Sequence, residues 1–205
     1  MNLPPLILLA AGKSTRMGTP KGLVDFKDEK LLTYNIRHFF SYGGSNIIIV
    51  LGHHIEAYFK SFPILERAFN TWGPFEGGQI KTIINPAPDR GQFSSLIEGL
   101  KELNEACFIL PIDVPTPEEN VWHLLAERLS DNISAIKPTF NDEGGHPVLL
   151  SSSFINKLKD LSLDHKDARL DTQLNKLSKE QLLRVSCNDS QILQNINTKD
   201  DLPQN

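Results

Sequence analysis

Cysteine is scarce in this chain: 205 residues hold two, Cys107 and Cys187. They lie far apart, in apolar or strand-like surroundings, and no Cys/His spacing matches a zinc site. They therefore read as reduced thiols, not as a disulfide framework or a metal centre. No long basic block occurs, and 21 Lys and Arg against 25 Asp and Glu leave a net charge of −4. A nucleic-acid partner is not indicated. No stretch approaches the roughly 18 apolar residues of a membrane span. Leu3 to Ala11 is apolar, but no Lys or Arg precedes it and a glycine loop follows at once, so a buried first strand is expected, not a secretion signal. Internal repeats and low-complexity linkers are also lacking. What remains is ordinary globular material, 40% hydrophobic and 22% charged. The expectation is a soluble, cytoplasmic protein forming one domain over residues 1–205.

The most informative stretch is Leu8-Leu9-Ala10-Ala11-Gly12-Lys13-Ser14-Thr15-Arg16-Met17-Gly18-Thr19-Pro20-Lys21-Gly22. An apolar run ends in a loop with three glycines and three cations. Small residues let a backbone approach a ligand closely, and the cations suit a polyphosphate. Gly12-Lys13-Ser14 resembles the end of a phosphate-wrapping loop, G-x-x-x-x-G-K-[ST]. That motif needs a glycine five residues before Gly12, where this chain has Ile7, so the reading is set aside.

Strand candidates are Leu6–Ala10, Asn46–Leu51, Gln79–Asn85, Ala106–Pro111, Ile133–Pro138 and Val148–Leu150. Helix candidates are Lys30–Tyr42, His53–Phe59, Ser94–Asn104, Pro117–Ser130, Ser151–Leu161 and Asp171–Leu177, the first stopped by Gly43-Gly44. The alternation predicts an α/β domain, a mostly parallel sheet with helices on both faces. Ligands bind such sheets beyond the carboxyl ends of the strands. Gly12, Asn85 and Asp113 each follow a strand candidate, so one fold would bring them to one edge. Residues 61–78 read as a loop-rich connection, and residues 160–190 as a polar, helical excursion.

Arg16 and Lys21 are candidate phosphate ligands, since positioned cations stabilise charge that grows during phosphoryl or nucleotidyl transfer. The spacing of Lys13 does not fix its direction. Asp113, at the end of Ile109-Leu110-Pro111-Ile112, could hold Mg2+, which takes few protein ligands and completes its shell from phosphates and water. The competing role, capping the helix near Pro117, falls more naturally to Thr116. Asn85-Pro86 and the Ser94 and Ser95 hydroxyls form a further candidate contact at a helix start, where one serine could instead simply cap. His146, in Gly144-Gly145-His146-Pro147, could donate to a substrate or be an ordinary loop histidine. His53-His54 reads as structural, because adjacent residues at a helix start point apart. No nucleophile constellation stands out, so direct transfer fits this inventory better than covalent catalysis.

From Leu9 to Lys21 the chain resembles the L-A-A-G-x-S-x-R-M-G-x-x-K signature of MobA-like nucleotidyltransferases, and within them the molybdenum-cofactor cytidylyltransferase branch. Asn85-Pro86, Gly91 with Ser94-Ser95-Leu96, Pro111-Ile112-Asp113-Val114-Pro115 and Gly145-His146-Pro147 follow in the family's order, so the likeness spans about residues 5–150. The resemblance implies a Rossmann-like nucleotidyltransferase that uses Mg2+. A phosphate on the acceptor would attack the α-phosphorus of a nucleoside triphosphate and release pyrophosphate. The backbone from Leu9 through Ala10, Ala11 and Gly12 would meet the nucleotide, Arg16 and Lys21 its phosphates, and Asp113 the metal. Ala10-Ala11 before the glycine resembles the cytidylyl branch and favours CTP; the acceptor would be molybdopterin or a related phosphorylated molecule, for delivery to a molybdoenzyme. GTP or a sugar phosphate remains an alternative.

Two segments depart from the family. Its late D-I-D-T-P-E-D-L segment is Asn195-Ile196-Asn197-Thr198-Lys199-Asp200-Asp201-Leu202 here, so a neutral amide, Asn197, stands where a metal-binding carboxylate is expected. Its D-x-G-A-R segment, near the acceptor side, is His165-Lys166-Asp167-Ala168-Arg169. The two asparagines leave room for a nucleotide-binding accessory protein that has lost catalysis.

Overall fold

A computed structural model describes residues 2–203. Met1 and residues 204–205, the extreme ends of the expected domain 1–205, lie outside the described residues. Eleven strands form: β1 Leu6–Ala10, β2 Asp25–Phe26, β3 Glu29–Lys30, β4 Asn46–Leu51, β5 Gly73–Phe75, β6 Gly78–Ile84, β7 Cys107–Pro111, β8 Ala135–Phe140, β9 Glu143–Gly144, β10 Val148–Leu150 and β11 Leu182–Ser186. Among the described residues seven α-helices accompany them: α1 Leu31–Ser41, α2 Ile55–Ser61, α3 Pro63–Arg67, α4 Gln92–Leu100, α5 Glu119–Ala126, α6 Ser152–Lys159 and α7 Leu170–Asn175.

One sheet runs in the order β11-β8-β10-β7-β1-β4-β6-β5, with β9 added beside β8. The pairs β7-β1, β1-β4, β4-β6 and β8-β11 are parallel; β10 and β5 enter antiparallel. Its central strands are covered on both faces, which is why they read as unbroken apolar runs. Leu6, Leu8, Ile47 and Ile49 join one core, where Trp122 of α5 packs edge-on against Phe39 and Phe108. Ile7, Leu9, Ile48 and Val50 join the other, beneath α4 and α6. The alternating assignment follows from the two-residue period of a strand. A mostly parallel α/β fold with helices on both faces is what the alternation predicted.

Three expectations need correcting. Residues 61–78 hold α3 and β5, not only loop, because Pro63 starts a helix and Gly73–Phe75 pairs with β6. Residues 160–190 hold α7 but also β11, an edge strand parallel to β8. Thr116 does not cap α5: its backbone N–H and hydroxyl both go to the buried side chain of Asn35 on α1, at 2.7 and 3.1 Å. α5 has no side-chain cap; the Asp189 carboxylate instead anchors the residue before it, accepting from the Glu118 N–H at 2.8 Å.

Candidate active site

β1 is flanked by β4 on one side and β7 on the other, so chain connections leave it in opposite directions. Such a switch point opens a crevice beyond the strand ends. A cavity of about 430 Å3 lies there. The backbone from Leu9 to Gly12 forms its floor, with Ser95 of α4 and Asp113 after β7 beside it. A Cβ added to Gly12 would meet no protein atom within 4 Å, so this face is free for a ligand.

The loop after β1 is pinned at several points. Ser14 adopts a left-handed conformation (φ 49°), and its carbonyl accepts from the N–H groups of Met17 and Gly18. Its hydroxyl accepts from the Lys21 N–H at 3.1 Å. Met17 is driven into a small apolar cluster with Val24, Phe26, Leu31, Tyr34 and Ile196. His53 and His54 brace the loop's other flank: the His53 N–H donates to the Ala11 carbonyl, and the His54 ring bonds the Lys13 carbonyl. Gly22 serves packing, since a Cβ there would come within 2.9 Å of the Tyr58 ring. Burial pushes the Tyr58 hydroxyl up to about 12, and it accepts from the Gly22 N–H.

Four predicted residues converge. The Lys21 ammonium donates to Asp113 Oδ2 at 2.7 Å and to Asn197 Oδ1 at 2.9 Å. The Arg16 guanidinium reaches the same Asn197 oxygen at 3.1 Å. Asn197 is brought there because Ile196 is buried in the loop's cluster and its N–H donates to the Asp113 carbonyl at 2.7 Å. A capping box then fixes the segment, Asp201 accepting from the N–H groups of Asn197 and Thr198. Lys13 lines the rim, paired at 2.6 Å with Asp89, whose carboxyl it holds below the usual range.

Asn85 and Ser94 are not brought to the cavity. Asn85 is buried; its amide donates to the Ser94 and Ser95 hydroxyls at 2.8 and 2.9 Å and accepts from the Ala87 N–H. Ser94 closes on the Gly91 carbonyl. These bonds tie the residue after β6 to the first turn of α4, and of the three only Ser95 lines the cavity. His146 lies in a neighbouring chamber of about 580 Å3, with Ala168 and Arg169 from the divergent segment. Its Nδ1 is buried without a partner, and burial pushes the imidazole down to about 4, with the nearby Lys137 adding to the effect.

Sequence reasoning missed Asp89 and Lys137. Lys137 carries a legible signal, a lone cation inside the apolar strand β8; Asp89 sits in a Pro-rich turn and has none.

Mg2+ was expected on Asp113 and Asn197, and the donor set fits it: one carboxylate and one amide oxygen converge on a single point, now spanned by Lys21. Mg2+ commonly takes one or two protein oxygens and completes its octahedron from phosphates and water. Three cations against two carboxylates line the first cavity, leaving it a net positive charge of one.

A sheet-edge crevice with clustered cations and a carboxylate beside it defines an α/β enzyme acting on phosphorylated ligands. The chain belongs to the MobA-like NTP transferase domain family, whose model matches residues 6–180, and it is a nucleotidyltransferase. No curated protein sequence matches it significantly. Among solved structures it is similar to the Rv0371c protein of Mycobacterium tuberculosis H37Rv, at TM-score 0.73 and 18% identity over 98% of this chain and 96% of that one. A manganese complex of that protein aligns at TM-score 0.65 and 16% identity, over 91% and 89% of the two chains. A nucleotidyl transferase of Methanothermobacter thermautotrophicus aligns at TM-score 0.74 and 16% identity, over 98% and 94%. The 4-diphosphocytidyl-2C-methyl-D-erythritol synthase of Anaerococcus prevotii aligns at TM-score 0.71 and 17% identity, over 98% and 92%. At these identities the likeness establishes the fold.

Proposed function

We propose that the enzyme transfers CMP from CTP to a phosphorylated acceptor of the molybdopterin kind. The observation that carries the reading is the convergence of Lys21, Arg16, Asp113 and Asn197 at the switch point, with a second chamber opening beside it. The nucleotide would lie along Leu9–Gly12. Lys21 and Arg16 would then exchange their Asp113 and Asn197 partners for phosphate oxygens. That exchange stabilises the charge that builds on the departing pyrophosphate.

An acceptor phosphate oxygen is already deprotonated near neutral pH, its second pKa being about 6. It can attack the α-phosphorus without a general base, as the bond to pyrophosphate breaks. The lack of a nucleophile–base pair is consistent with this. Mg2+, held by Asp113 and Asn197, would supply charge neutralisation on the phosphates. CTP as donor rests on Ala10-Ala11-Gly12 and draws support from a fold relative whose name carries a cytidyl product.

A second reading is favoured by Asn197 alone: a neutral amide gives a divalent ion less attraction than a carboxylate, which suits a nucleotide-binding accessory protein. One assay separates the two. The protein, with Mg2+ and each of four ribonucleoside triphosphates, is followed for pyrophosphate release against a panel of phosphorylated acceptors. CTP-dependent release supports the transferase; tight CTP binding without turnover on any acceptor supports the accessory role.

A further inference from the structure

The second chamber shares Leu9, Gly91, Gln92 and Pro111 with the nucleotide cavity, so the two are continuous. Much of its wall is apolar, including Phe93, Leu96, Ile109, Val148 and Leu174. Three cations reach it. Arg90 is already paired with Asp164, and Arg169 forks onto Asp171 at 3.1 and 2.9 Å. Lys137 is different. It is half-buried on β8, and among the described residues no carboxylate lies within ion-pair distance and no acceptor bonds its ammonium. Asp171 acts on it only through space, against the opposing charge of Arg184.

The side chain's path is built. A Cβ at Gly144 would stand 2.7 Å from Lys137 Cε and 3.1 Å from its Nζ, so glycine there leaves room for the stem. Burial lowers the Lys137 pKa from its ordinary value. Beside it, His146 Nδ1 is buried and also unpartnered. An ammonium withdrawn from water with no partner costs stability. One such cation bordering an apolar chamber makes a recognition site, a charged point in a greasy pocket.

We propose that this chamber seats the apolar body of the acceptor and that Lys137 binds an anionic group on it, separate from the phosphate that reacts. Lys21 and Asp113, which face the reacting end, line only the first cavity. An acceptor spanning both chambers therefore presents one anion to each. The inference rests on the transferase reading, which makes the second chamber an acceptor site.

Two fluorescent probes test it without turnover: 1-anilinonaphthalene-8-sulfonate, an aromatic anion, and N-phenyl-1-naphthylamine, its uncharged counterpart. The anion should bind the wild-type protein saturably, and Lys137→Met should weaken it at least about tenfold. That variant should leave the neutral probe within about twofold, keep CTP affinity by calorimetry, and not lower the melting temperature. Lys137→Arg should retain the anion. Equal affinity of the anion for wild type and Lys137→Met, or no advantage over the neutral probe, overturns the proposal, as does loss of CTP binding in Lys137→Met. Failure of the wild-type protein to bind CTP would count against the transferase reading alone and leave the probe result standing.

Discussion

Lys21 Nζ sits between Asp113 Oδ2 and Asn197 Oδ1, at 2.7 and 2.9 Å, joining residues 92 and 176 positions away in sequence. The pair Lys21–Asp113 is only partly exposed, its side chains 15% and 24% accessible, so solvent screens it less than a surface ion pair. On the proposed reading, a triphosphate arriving at the cavity would offer Lys21 stronger partners, and a divalent ion would compete with Lys21 for the same two oxygens.

Replacing Lys21 by Ala removes the cation best placed to follow phosphate charge. Turnover, measured as pyrophosphate release, should fall at least about tenfold, which corresponds to about 1.4 kcal/mol of barrier. Unchanged kinetics would put Lys21 outside the reaction.

Asp113→Ala should abolish turnover while leaving the far-ultraviolet circular dichroism intact, because the backbone around it is held by Ile196 and by the Asn35–Thr116 bonds, not by its carboxylate. Near-normal activity in that variant would remove Asp113 from metal binding.

Asn197→Asp restores a charged oxygen where the family has one. The concentration of Mg2+ giving half-maximal activity should drop, since a carboxylate attracts the ion more strongly than an amide. An identical Mg2+ titration for both proteins would exclude Asn197 as a ligand.

Burial, helped by Lys137, pushes the His146 imidazole from its ordinary 6.5 down to about 4. The unfolded chain therefore binds more protons than the fold between those values, so stability is fully present above about pH 6.5 and is lost as pH falls towards 4. Urea midpoints from pH 7 to pH 4.5 should decline less steeply for His146→Asn than for wild type. Parallel declines would place the acid sensitivity elsewhere.

Asn85→Leu deletes two buried hydrogen bonds and a partly buried one and should destabilise the fold by about 2–3 kcal/mol, since unpaired buried groups bear the full desolvation cost. Calorimetric CTP affinity at a temperature where the variant is folded should change little, because Asn85 does not line the cavity. A large loss of affinity with unaltered stability would return Asn85 to the ligand's surface.

The strands were the most legible part of the fold. Leu6–Ala10, Asn46–Leu51 and Val148–Leu150 match the expected bounds, since strands buried on both faces leave unmistakable apolar runs. β11 was not legible: Leu182–Ser186 contains Arg184, lies at the sheet's edge and is only half covered. Asn85 was legible as a strand end and Ser94 as a helix start, but polarity alone does not say whether a side chain faces a ligand or a neighbour.

The sequence by itself determined the loop from Gly12 to Lys21, the carboxylate after β7 and the α/β alternation, because each depends on local spacing and period. Only the tertiary structure decided that Asn197 completes the cluster around Lys21, that Asn85 works behind the wall, and that Lys137 stands unpaired in a second chamber. Those facts depend on contacts between distant segments, set by burial of residues such as Ile196 and Met17, and no local pattern encodes them.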